Sequence, residues 1–551
     1  MTRDKRAALT RREALRVFGL GGSAALLAAC APTVTAPGVS ASATPAAQAT
    51  PAVRTGGTVI WLTDRDLSSF DMYQETSAPL LAQLAPAYSS LLRYEPLDAT
   101  KLLPDLAERW EVTLDALQYT FFLRQGVRFH DGMPMTSADV KYSLDTLYNP
   151  KTGAQSVRRS WLTMIKSVEA PDANRVIVVL KYPAAELLPI LGMVWTNIVP
   201  KHVAEVKGDM RKDIVGTGPF KLKAYQPGTS LEYVKNEDYY DKTRPYLDGV
   251  KFLIIKDTAT RVAAFQTGKA HITGIGGAGL SAQEADQFDQ TMKDKVKVWR
   301  HADLNVDSLV MNMSRKPWSD VRVRKAVDLA FDRQAYAKLV WSGAFTVGGF
   351  IPGGSWGIPA SELQQQPGYR QPKDADRAEA KRLLAEAGFP QGFPVKMLVQ
   401  AQSADQRRSE YALDQLASIG IKATFDTQES AAFFTKTTNR DYDIFMGAHG
   451  AQIVDPSPRL FQLFYTGGTQ NFSVISDATL DKQIDEQARE QSAEKRKAQI
   501  VAIERRLFEL LPRVSLGTPQ TLTGMWLTVR NWAAHDGRFT FMSHRDTWLA
   551  E

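Results

Sequence analysis

The most regular pattern of apolar and polar positions lies within residues 105–149. Tyr119, Phe121 and Leu123 alternate with a second row of side chains that ends in Arg124. A period of two residues is typical of a strand, because successive side chains point to opposite faces of a sheet. The pattern therefore predicts a strand with one apolar face and one wetter face.

A turn and a helix are predicted directly after this strand. Gly126 and the Asp131-Gly132 pair favour a tight, hairpin-like return of the chain. Thr136 and Asp139 have the spacing of a capping box, which marks the start of a helix. The apolar stripe of that helix consists of Val140, Leu144 and Leu147.

Short apolar runs and periodic segments predict most of the remaining elements. Strands are expected at residues 59–62, 175–180, 250–255, 296–300 and 442–446, and near Val514 and Met525–Val529. Helices are expected at residues 79–92, 258–268, 375–388 and 479–511, and after a capping Ser319, with Val323, Ala326, Val327 and Ala330 on the inner face. Residues 395–400, 406–420 and 421–426 form a strand–helix–strand unit, which is typical of parallel sheets.

The run from Trp110 to Val140 resembles the signature region of the family 5 (peptide, oligopeptide and nickel type) extracellular solute-binding proteins of ABC importers. It contains W-E-V and then Y-T-F-F-L-R-Q-G-V-R-F-H-D-G-M-P-M-T-S-A-D-V. Further landmarks of the family follow in the same order: Gly216–Phe220 (GTGPF), Asn236–Tyr240 (NEDYY) and Asn312–Ala326, which contains P-W-S-D-V-R-V-R-K-A. The resemblance extends from about Thr55 to the C-terminus.

This resemblance implies an α/β, type II (cluster C) periplasmic-binding-protein fold, with two lobes joined by a hinge and an extra domain. By the order of the landmarks, lobe I is expected at residues 55–87, 200–304 and 515–551, the extra domain II at 88–199, and lobe III at 305–514. The resemblance also implies a monomer that binds a solute between its lobes and docks in its closed form on the permease subunits of an ABC transporter. Such a role requires neither a cofactor nor covalent chemistry.

Length and charge are consistent with a large globular protein. A chain of 551 residues exceeds what one hydrophobic core supports, so several domains are expected. Of the 67 basic and 60 acidic residues, six basic and two acidic ones lie in residues 1–29, so the formal net charge of +7 falls to +3 for the rest. This mild excess gives no reason to expect a nucleic-acid partner.

Residues 1–30 have the pattern of a lipoprotein export signal. A basic region precedes the apolar stretch Val17–Ala29, and Cys30, the only cysteine of the chain, completes a lipoprotein cleavage box. Thr10–Arg16 resembles a twin-arginine signal, and the general export route stays open as the alternative. Residues 31–54, rich in Ala, Pro, Thr and Ser, are expected to form a flexible tether. The protein is therefore expected outside the cell membrane (periplasmic or extracellular), attached to its outer face through an acylated Cys30.

The sequence shows no complete set of motifs for a hydrolase or a metal enzyme. Gly353–Gly357 formally fits G-x-S-x-G, but we interpret Ile351–Gly357 as a glycine-rich loop that carries an aromatic residue. The sequence contains no H-E-x-x-H pattern, and its seven histidines are scattered singly. Gly274–Gly279 formally fits G-x-G-x-x-G, but the strand expected at 296–300 ends without an acidic residue, so we interpret these glycines as a loop. We predict no catalytic residue, no metal site and no enzymatic activity.

The resemblance directs attention to one loop as part of the ligand site. In peptide-binding relatives, an Asp in the loop after the strand "YD-x-x-x-x-G" pairs with the α-ammonium of the ligand, three residues before an acidic residue and a proline. Asp455-Pro456 form that closing pair here, and Gln452 occupies the position of the Asp. An amide accepts a hydrogen bond but does not neutralise a buried ammonium. The family thus implies a peptide-like solute, whereas Gln452 favours a neutral or differently charged one, such as an oligosaccharide or a metal chelate.

Several other residues are candidates for ligand contacts. Besides Gln452 and Asp455 they are Tyr73, Trp356, Arg407, Arg408 and His449. The two arginines fall near the position from which dipeptide-binding relatives supply an arginine to the ligand carboxylate, although a solvated helix start explains each of them slightly better. The two aromatic residues offer walls for a cleft, or belong to the core or the surface. A sensing or chaperone role would leave the same pattern in the sequence as an import role.

Overall fold

The computed structural model describes residues 53–74, 78–149, 159–274, 278–352, 356–401, 403–450, 453–535 and 544–550, which all lie in one compact unit, Ala52–Glu551. The predicted export signal, Cys30 and most of the predicted tether lie outside the described residues. Helices and strands alternate along the chain, and the strands form several separate sheets. The expected α/β class is confirmed.

The first part of the chain is rich in strands. Its strands are β1 (Thr58–Thr63), β2 (Leu92–Glu95), β3 (Asp98–Pro104), β4 (Ala107–Val112), β5 (Gln118–Leu123), β6 (Ile165–Asp172), β7 (Arg175–Leu180), β8 (Phe220–Gln226), β9 (Ser230–Lys235), β10 (Gly249–Ile254) and β11 (Val296–Ala302). Its α-helices are α1 (Ala78–Leu84), α2 (Ser137–Tyr148), α3 (Leu187–Leu191), α4 (Lys201–Lys207), α5 (Thr258–Gln266) and α6 (Ala282–Thr291). Short 3-10 helices occupy Ala85–Ala87, Arg159–Trp161 and Val194–Thr196.

The second part of the chain contains more helix. Its strands are β12 (Val306–Met311), β13 (Phe345–Val347), β14 (Pro394–Gln400), β15 (Lys422–Gln428), β16 (Ile444–His449), β17 (Arg513–Trp526), β18 (Val529–Arg530) and β19 (Trp548–Leu549). Its helices are α7 (Val321–Ala330), α8 (Arg333–Trp341), α9 (Ala360–Leu363), α10 (Asp374–Glu386), α11 (Ser403–Ala417), α12 (Ser430–Thr438), α13 (Ser457–Leu463), α14 (Ala478–Arg489) and α15 (Ala493–Leu510).

The segment with the regular alternation folds as predicted. β5 lies in the small sheet β4-β5-β7-β6, with Tyr119, Phe121 and Leu123 buried on one face. The turn closes with a bridge between Arg128 and Pro134. The capping box of α2 is present, because the backbone N–H of Thr136 donates to the Asp139 carboxylate at 2.9 Å.

Strand β17 connects two larger sheets. In the first sheet, ordered β1-β10-β9-β8, β1 and β10 are parallel and the other pairs antiparallel. The second sheet, which contains β17, has the order β11-β17-β12-β16-β14-β15, with β13 beside β17. The N-terminal half of β17 pairs with β12, whereas its C-terminal half pairs with β11 and reaches β1 through bridges of Ile272 to Trp61 and Met525. One strand therefore links the two sheets.

The expected strand–helix–strand unit is confirmed in the second sheet. β14 and β15 pair in parallel, with Val395 opposite Ala423, and α11 connects them. The apolar face of this sheet packs on α7, α8, α10 and α11 in one hydrophobic cluster that contains Met397, Ala412 and Val514. Burial of this face explains why β14 reads as a nearly continuous apolar run.

Some predicted boundaries are wrong. The helix expected at residues 79–92 ends at Leu84, because Pro86 interrupts it and a 3-10 turn follows. Asp320, not Ser319, caps α7, since its carboxylate accepts the backbone N–H of Arg322 at 2.8 Å.

The stretch 479–511, expected to be largely helical, is confirmed as two helices, α14 and α15, and Ser492 caps the second. In contrast, the two short strands expected in the tail are one strand of 14 residues, β17. Gly517 and Pro519 read as breakers in the sequence, but β17 accommodates Gly517 at φ +132° where its register against β12 shifts.

Within the described ranges, a search for helices with the length and apolar character of a membrane span finds none. The same residues contain no group of three or more His, Cys, Asp or Glu side chains arranged to hold a metal ion.

Candidate functional site

The loop between β16 and α13 connects the second sheet with the first part of the chain. Ile453 of this loop is 3% exposed and belongs to the same hydrophobic cluster as Trp61 of β1 and Tyr94 of β2. A hydrogen bond from the backbone N–H of Ala185 to the carbonyl of Ala488, 3.1 Å long, also joins the small-sheet region to α14. We call this contact region the interlobe interface; the two parts of the chain are in contact across it.

Asp455 forms a buried ion pair at this interface. Its two carboxylate oxygens accept hydrogen bonds from two nitrogens of Arg496, each at 2.6 Å. Both side chains are almost fully buried, and Arg496 also donates to the Ser457 hydroxyl. The sequence-predicted ligand residue Asp455 is therefore engaged by an internal cation in this structure.

Glu186, at the start of α3, lies on the other side of the interface. Its side chain is buried, and Oε2 has no hydrogen-bond partner. Burial, together with the nearby Asp455 carboxylate, raises the pKa of Glu186 to about 7, although the Arg496 guanidinium lowers it. A second carboxyl group therefore lies close to the Asp455–Arg496 pair at this interface.

A group of buried cations lies on the loop side of the second sheet. Arg459 of α13 donates to the carbonyls of Phe350, Leu304 and His449 at 2.8–3.0 Å. These three bonds use one donor from each guanidinium nitrogen and fix the start of the loop. Arg459 is therefore a structural residue that holds the end of β16 in place.

The ring of His449 lies between Phe445 and Phe472, with ring centroids 5.6 and 5.0 Å away. Its Nδ1 atom is buried and has no partner. Burial, followed by the charges of Arg513, Arg459 and Arg408, holds the pKa of His449 well below its ordinary value. The imidazole is therefore neutral at physiological pH.

Arg513, the first residue of β17, contributes a buried cation beside this imidazole. Its side chain is 1% exposed, and all three guanidinium nitrogens lack a partner. Its guanidinium carbon lies 5.0 Å from the centre of the Phe464 ring. Burial lowers the pKa of Arg513 to about 10, so the group remains charged at neutral pH.

The two predicted arginines of α11 have different environments. Arg408 is buried, and its Nε donates to the Asp307 carboxylate at 3.2 Å, beside the donors Tyr336 and Trp341. Arg407, in contrast, is exposed. Arg408 is thus part of an internal polar cluster.

The two predicted aromatic residues lie in different regions. Trp356 lies with its ring 5.0 Å from the Arg496 guanidinium carbon, so the structure brings it next to Asp455. Tyr73 is buried in the first hydrophobic cluster and donates to the carbonyl of Asn197 at 2.7 Å. Gln452 lies outside the described residues.

Sequence reasoning missed Glu186, Arg459, Arg496 and Arg513. Arg496 lies in a helix rich in charged residues, α15, and Arg459 is the only charged residue of the short helix α13. Arg513 stands alone in the apolar run 510–516, and an isolated cation within a buried strand pattern is the one signal that marks an unusual position.

The α/β architecture, with separate sheets connected through β17, matches the type II periplasmic class of solute-binding proteins. The model of the bacterial extracellular solute-binding proteins, family 5, middle region, matches residues 101–471. The chain belongs to this family, and the resemblance seen in the Trp110–Val140 signature is confirmed.

Named relatives of the chain are binding proteins. Heme-binding protein A of Haemophilus influenzae is 30% identical over 373 residues, which cover 63% of this chain and 65% of that protein. The dipeptide-binding protein of Escherichia coli is 28% identical over 422 residues, which cover 72% of this chain and 76% of that protein. The match to the first of these spans slightly less than two thirds of its length.

A solved structure confirms the expected fold. The PBP AgaA of A. tumefaciens R10, in complex with agropinic acid, superposes with a TM-score of 0.70 at 27% identity. The superposition covers 90% of this chain and 99% of that chain. The type II periplasmic-binding-protein fold therefore extends over the body of the chain.

Proposed function

We propose that this protein is the solute receptor of an ABC importer, which captures its solute between two lobes and delivers it to the permease subunits. The observation that carries the proposal is the interlobe interface, where Ala185 bonds to Ala488 and Glu186 is buried beside the Asp455–Arg496 pair. A closed form with its own buried contacts is what a ligand can favour over an open form. The family and the names of the relatives support the same role.

The proposal includes the lobe assignment expected from the landmarks. Lobe I comprises residues 55–87, 200–304 and 515–551, the extra domain 88–199, and lobe III 305–514. Strand β17 changes its partner from β12 to β11 between Gly517 and Gln520, a few residues after the expected boundary at residue 515, and this supports a boundary in the first half of β17. Closure then corresponds to a rotation of lobe III against the other two parts.

The proposal also includes attachment to the outer face of the cell membrane. Acylation of Cys30 would anchor the chain, and residues 31–54 would tether the body. Each buried methylene of an acyl chain contributes about 0.8 kcal/mol to membrane binding, so two or three chains hold the protein firmly. A receptor restricted in this way stays close to its permease.

The solute is proposed to be peptide-like, as for the dipeptide-binding relative, and the protein is proposed to have no enzymatic activity. Gln452 supports a second candidate, a solute without a free α-ammonium group, because the amide leaves such a group unneutralised. A sensing role would use the same binding step without delivery to a permease.

A disulfide-trapping experiment tests the closure that this function requires. Cys30 is the only cysteine, so Ala185→Cys and Ala488→Cys in a Cys30→Ser background place one pair across the interface. Peptides, agropinic acid, oligosaccharides and metal chelates are then screened for faster cross-linking, with the Ala185→Cys single variant as the control. We expect at least one solute to accelerate cross-linking and to be recovered unchanged. If no solute changes the rate of cross-linking, or if the protein chemically converts one of the solutes, the proposal is contradicted.

A further inference from the structure

Arg513 carries a positive charge that no described residue neutralises. Its guanidinium group is buried, and Nε and both terminal nitrogens lack hydrogen-bond partners. Each of the other arginines with unpartnered buried nitrogens in the described ranges lacks a partner at Nε alone. Because an isolated buried cation is costly, native proteins satisfy such groups with protein atoms, ordered water or a ligand. Among the described residues no protein group fills this role, which leaves solvent or a ligand as the partner of Arg513.

The buried carboxylates of this region already have other partners. Asp455 binds Arg496 at 2.6 Å, and Asp307 binds Arg408 at 3.2 Å. Glu504 accepts two backbone N–H groups of the loop that follows β13, at 2.8 and 2.6 Å. None of these carboxylates bonds to Arg513, so the missing negative charge has no internal source among them.

The register of the second sheet shows what lies between Arg513 and the loop. Arg513 stands opposite Val310 of β12, which stands opposite Phe445 of β16. The next row on the same face, toward the loop, consists of Ser515, Ser308 and Gly447. Because side chains two residues apart share a face, these small residues put little volume between the guanidinium and the loop.

His449 ends this face of the sheet. A Cβ atom on Gly447 would lie 2.4 Å from Cε1 of His449, so the ring folds back over Gly447 toward the Arg513 row. Its unpartnered Nδ1 is a second buried polar atom in the same region. Residues 451 and 452, which continue the chain, are Ala and Gln and add no negative charge.

We propose that Arg513 binds an anionic group of the solute, a carboxylate or a phosphate, with the His449 imidazole supplying a second hydrogen bond. The inference rests on the proposed function and names the chemistry of the solute that the same interlobe site accepts. A guanidinium forms paired, charge-assisted hydrogen bonds with such groups, and they are strongest where water is excluded. The similar structure that contains agropinic acid, an acid by name, supports this solute class.

The test compares Arg513→Met with the unchanged full chain. The probes are inorganic phosphate, agropinic acid, alanyl-alanine and alanyl-alanine amide. The last two differ only in that the amide lacks the carboxylate. Calorimetry and thermal shift report affinity and stability. We expect the unchanged protein to bind at least one anionic probe more tightly than the uncharged amide. Arg513→Met should weaken the binding of that probe on the order of a hundredfold. Arg513→Lys should retain part of the affinity, because it keeps the charge but not the planar fork.

Lys482→Met is the matched control, because it removes the same charge from a side chain of the second part of the chain that is 77% exposed. Equal binding of the acid and the amide, unaffected by Arg513→Met, would overturn the inference and leave solute capture intact. If Arg513→Met raises the melting temperature but leaves anion binding unchanged, Arg513 is a solvated structural residue, and this result would also overturn the inference. If no probe binds and no solute changes the interlobe cross-linking, solute capture itself is rejected, and the inference is rejected with it.

Discussion

Asp455 and Arg496 bind each other through two hydrogen bonds of 2.6 Å at the point where the loop after β16 meets the rest of the molecule. Both side chains are buried, so each ion depends on the other for its neutralisation. Asp455→Ala leaves the Arg496 guanidinium buried without its counterion. Removing one partner of a buried pair typically costs about 3–5 kcal/mol.

We therefore expect Asp455→Ala to lower the free energy of unfolding by about 3 kcal/mol or more in urea denaturation. The double variant Asp455→Leu with Arg496→Met should recover much of the loss, since it removes both charges together. A loss below about 1 kcal/mol in the single variant would show that water solvates Arg496 after all.

Glu186 makes the stability of the folded form depend on pH. Its pKa in the folded form is about 7, against an ordinary value of 4.5. Below about pH 4.5 the acid is protonated in both the folded and the unfolded state, so its raised pKa does not destabilise the folded form. The destabilisation grows as the pH rises to about 7 and is constant above that value, because the folded form then carries the buried charge.

Glu186→Gln should remove this dependence. We expect the variant to gain roughly 1–3 kcal/mol over the unchanged protein at pH 8 and nothing at pH 4.5, measured by urea denaturation across the range. Glu504, whose pKa is also about 7, is present in both proteins, so the difference between the two curves isolates Glu186. Parallel curves would mean that Glu186 is solvated in the folded protein.

Arg407 and Arg408 provide a matched comparison of neighbouring arginines. Arg408→Met leaves the Asp307 carboxylate fully buried with only Tyr336 and Trp341 as donors. We expect it to lower the free energy of unfolding by about 3 kcal/mol, whereas Arg407→Met should stay within about 0.5 kcal/mol. If Arg407→Met weakens solute binding without changing stability, Arg407 contacts the solute as the family suggests.

The glycines of the Gly216–Phe220 landmark are required by packing. A Cβ atom on Gly218 would lie 2.4 Å from backbone atoms of Ala87 and Tyr88, which have no room to move. Gly218→Ala should therefore cost about 3 kcal/mol or prevent folding. Gly348→Ala is the control, since its nearest new contact is 3.7 Å away, and thermal unfolding of the two variants measures the difference. Equal melting temperatures would contradict the packing argument.

Local patterns in the sequence predicted local structure well. The capping box of Thr136 and Asp139 and the alternation of Tyr119, Phe121 and Leu123 depend on neighbours within a few residues, and both are present. The continuous β17 was missed because its length depends on partners that are distant in sequence. The pairing of its two halves with β12 and β11 outweighs the breaking tendency of Gly517.

The polar site was predicted only in part, for a similar reason. The family pattern placed Asp455 in the important loop, but no local signal showed that Arg496, 41 residues later, would bind it. In the sequence, Arg513 is only a single cation within an apolar run. Its significance comes from burial and from the absence of a partner, which only the folded arrangement of Phe464 and its surroundings reveals.

The position of β17 has a consequence for the synthesis of the protein. This strand lies between β11 and β12 in the second sheet, yet it follows β12 to β16 along the chain. During synthesis, β11 and β12 therefore stay without their common neighbour until residue 526 has left the ribosome, although the strands of the sheet β1-β10-β9-β8 have all been made by then. A nascent chain without β17 would leave one edge of β11 and one edge of β12 unpaired, so the addition of this one strand completes the second sheet.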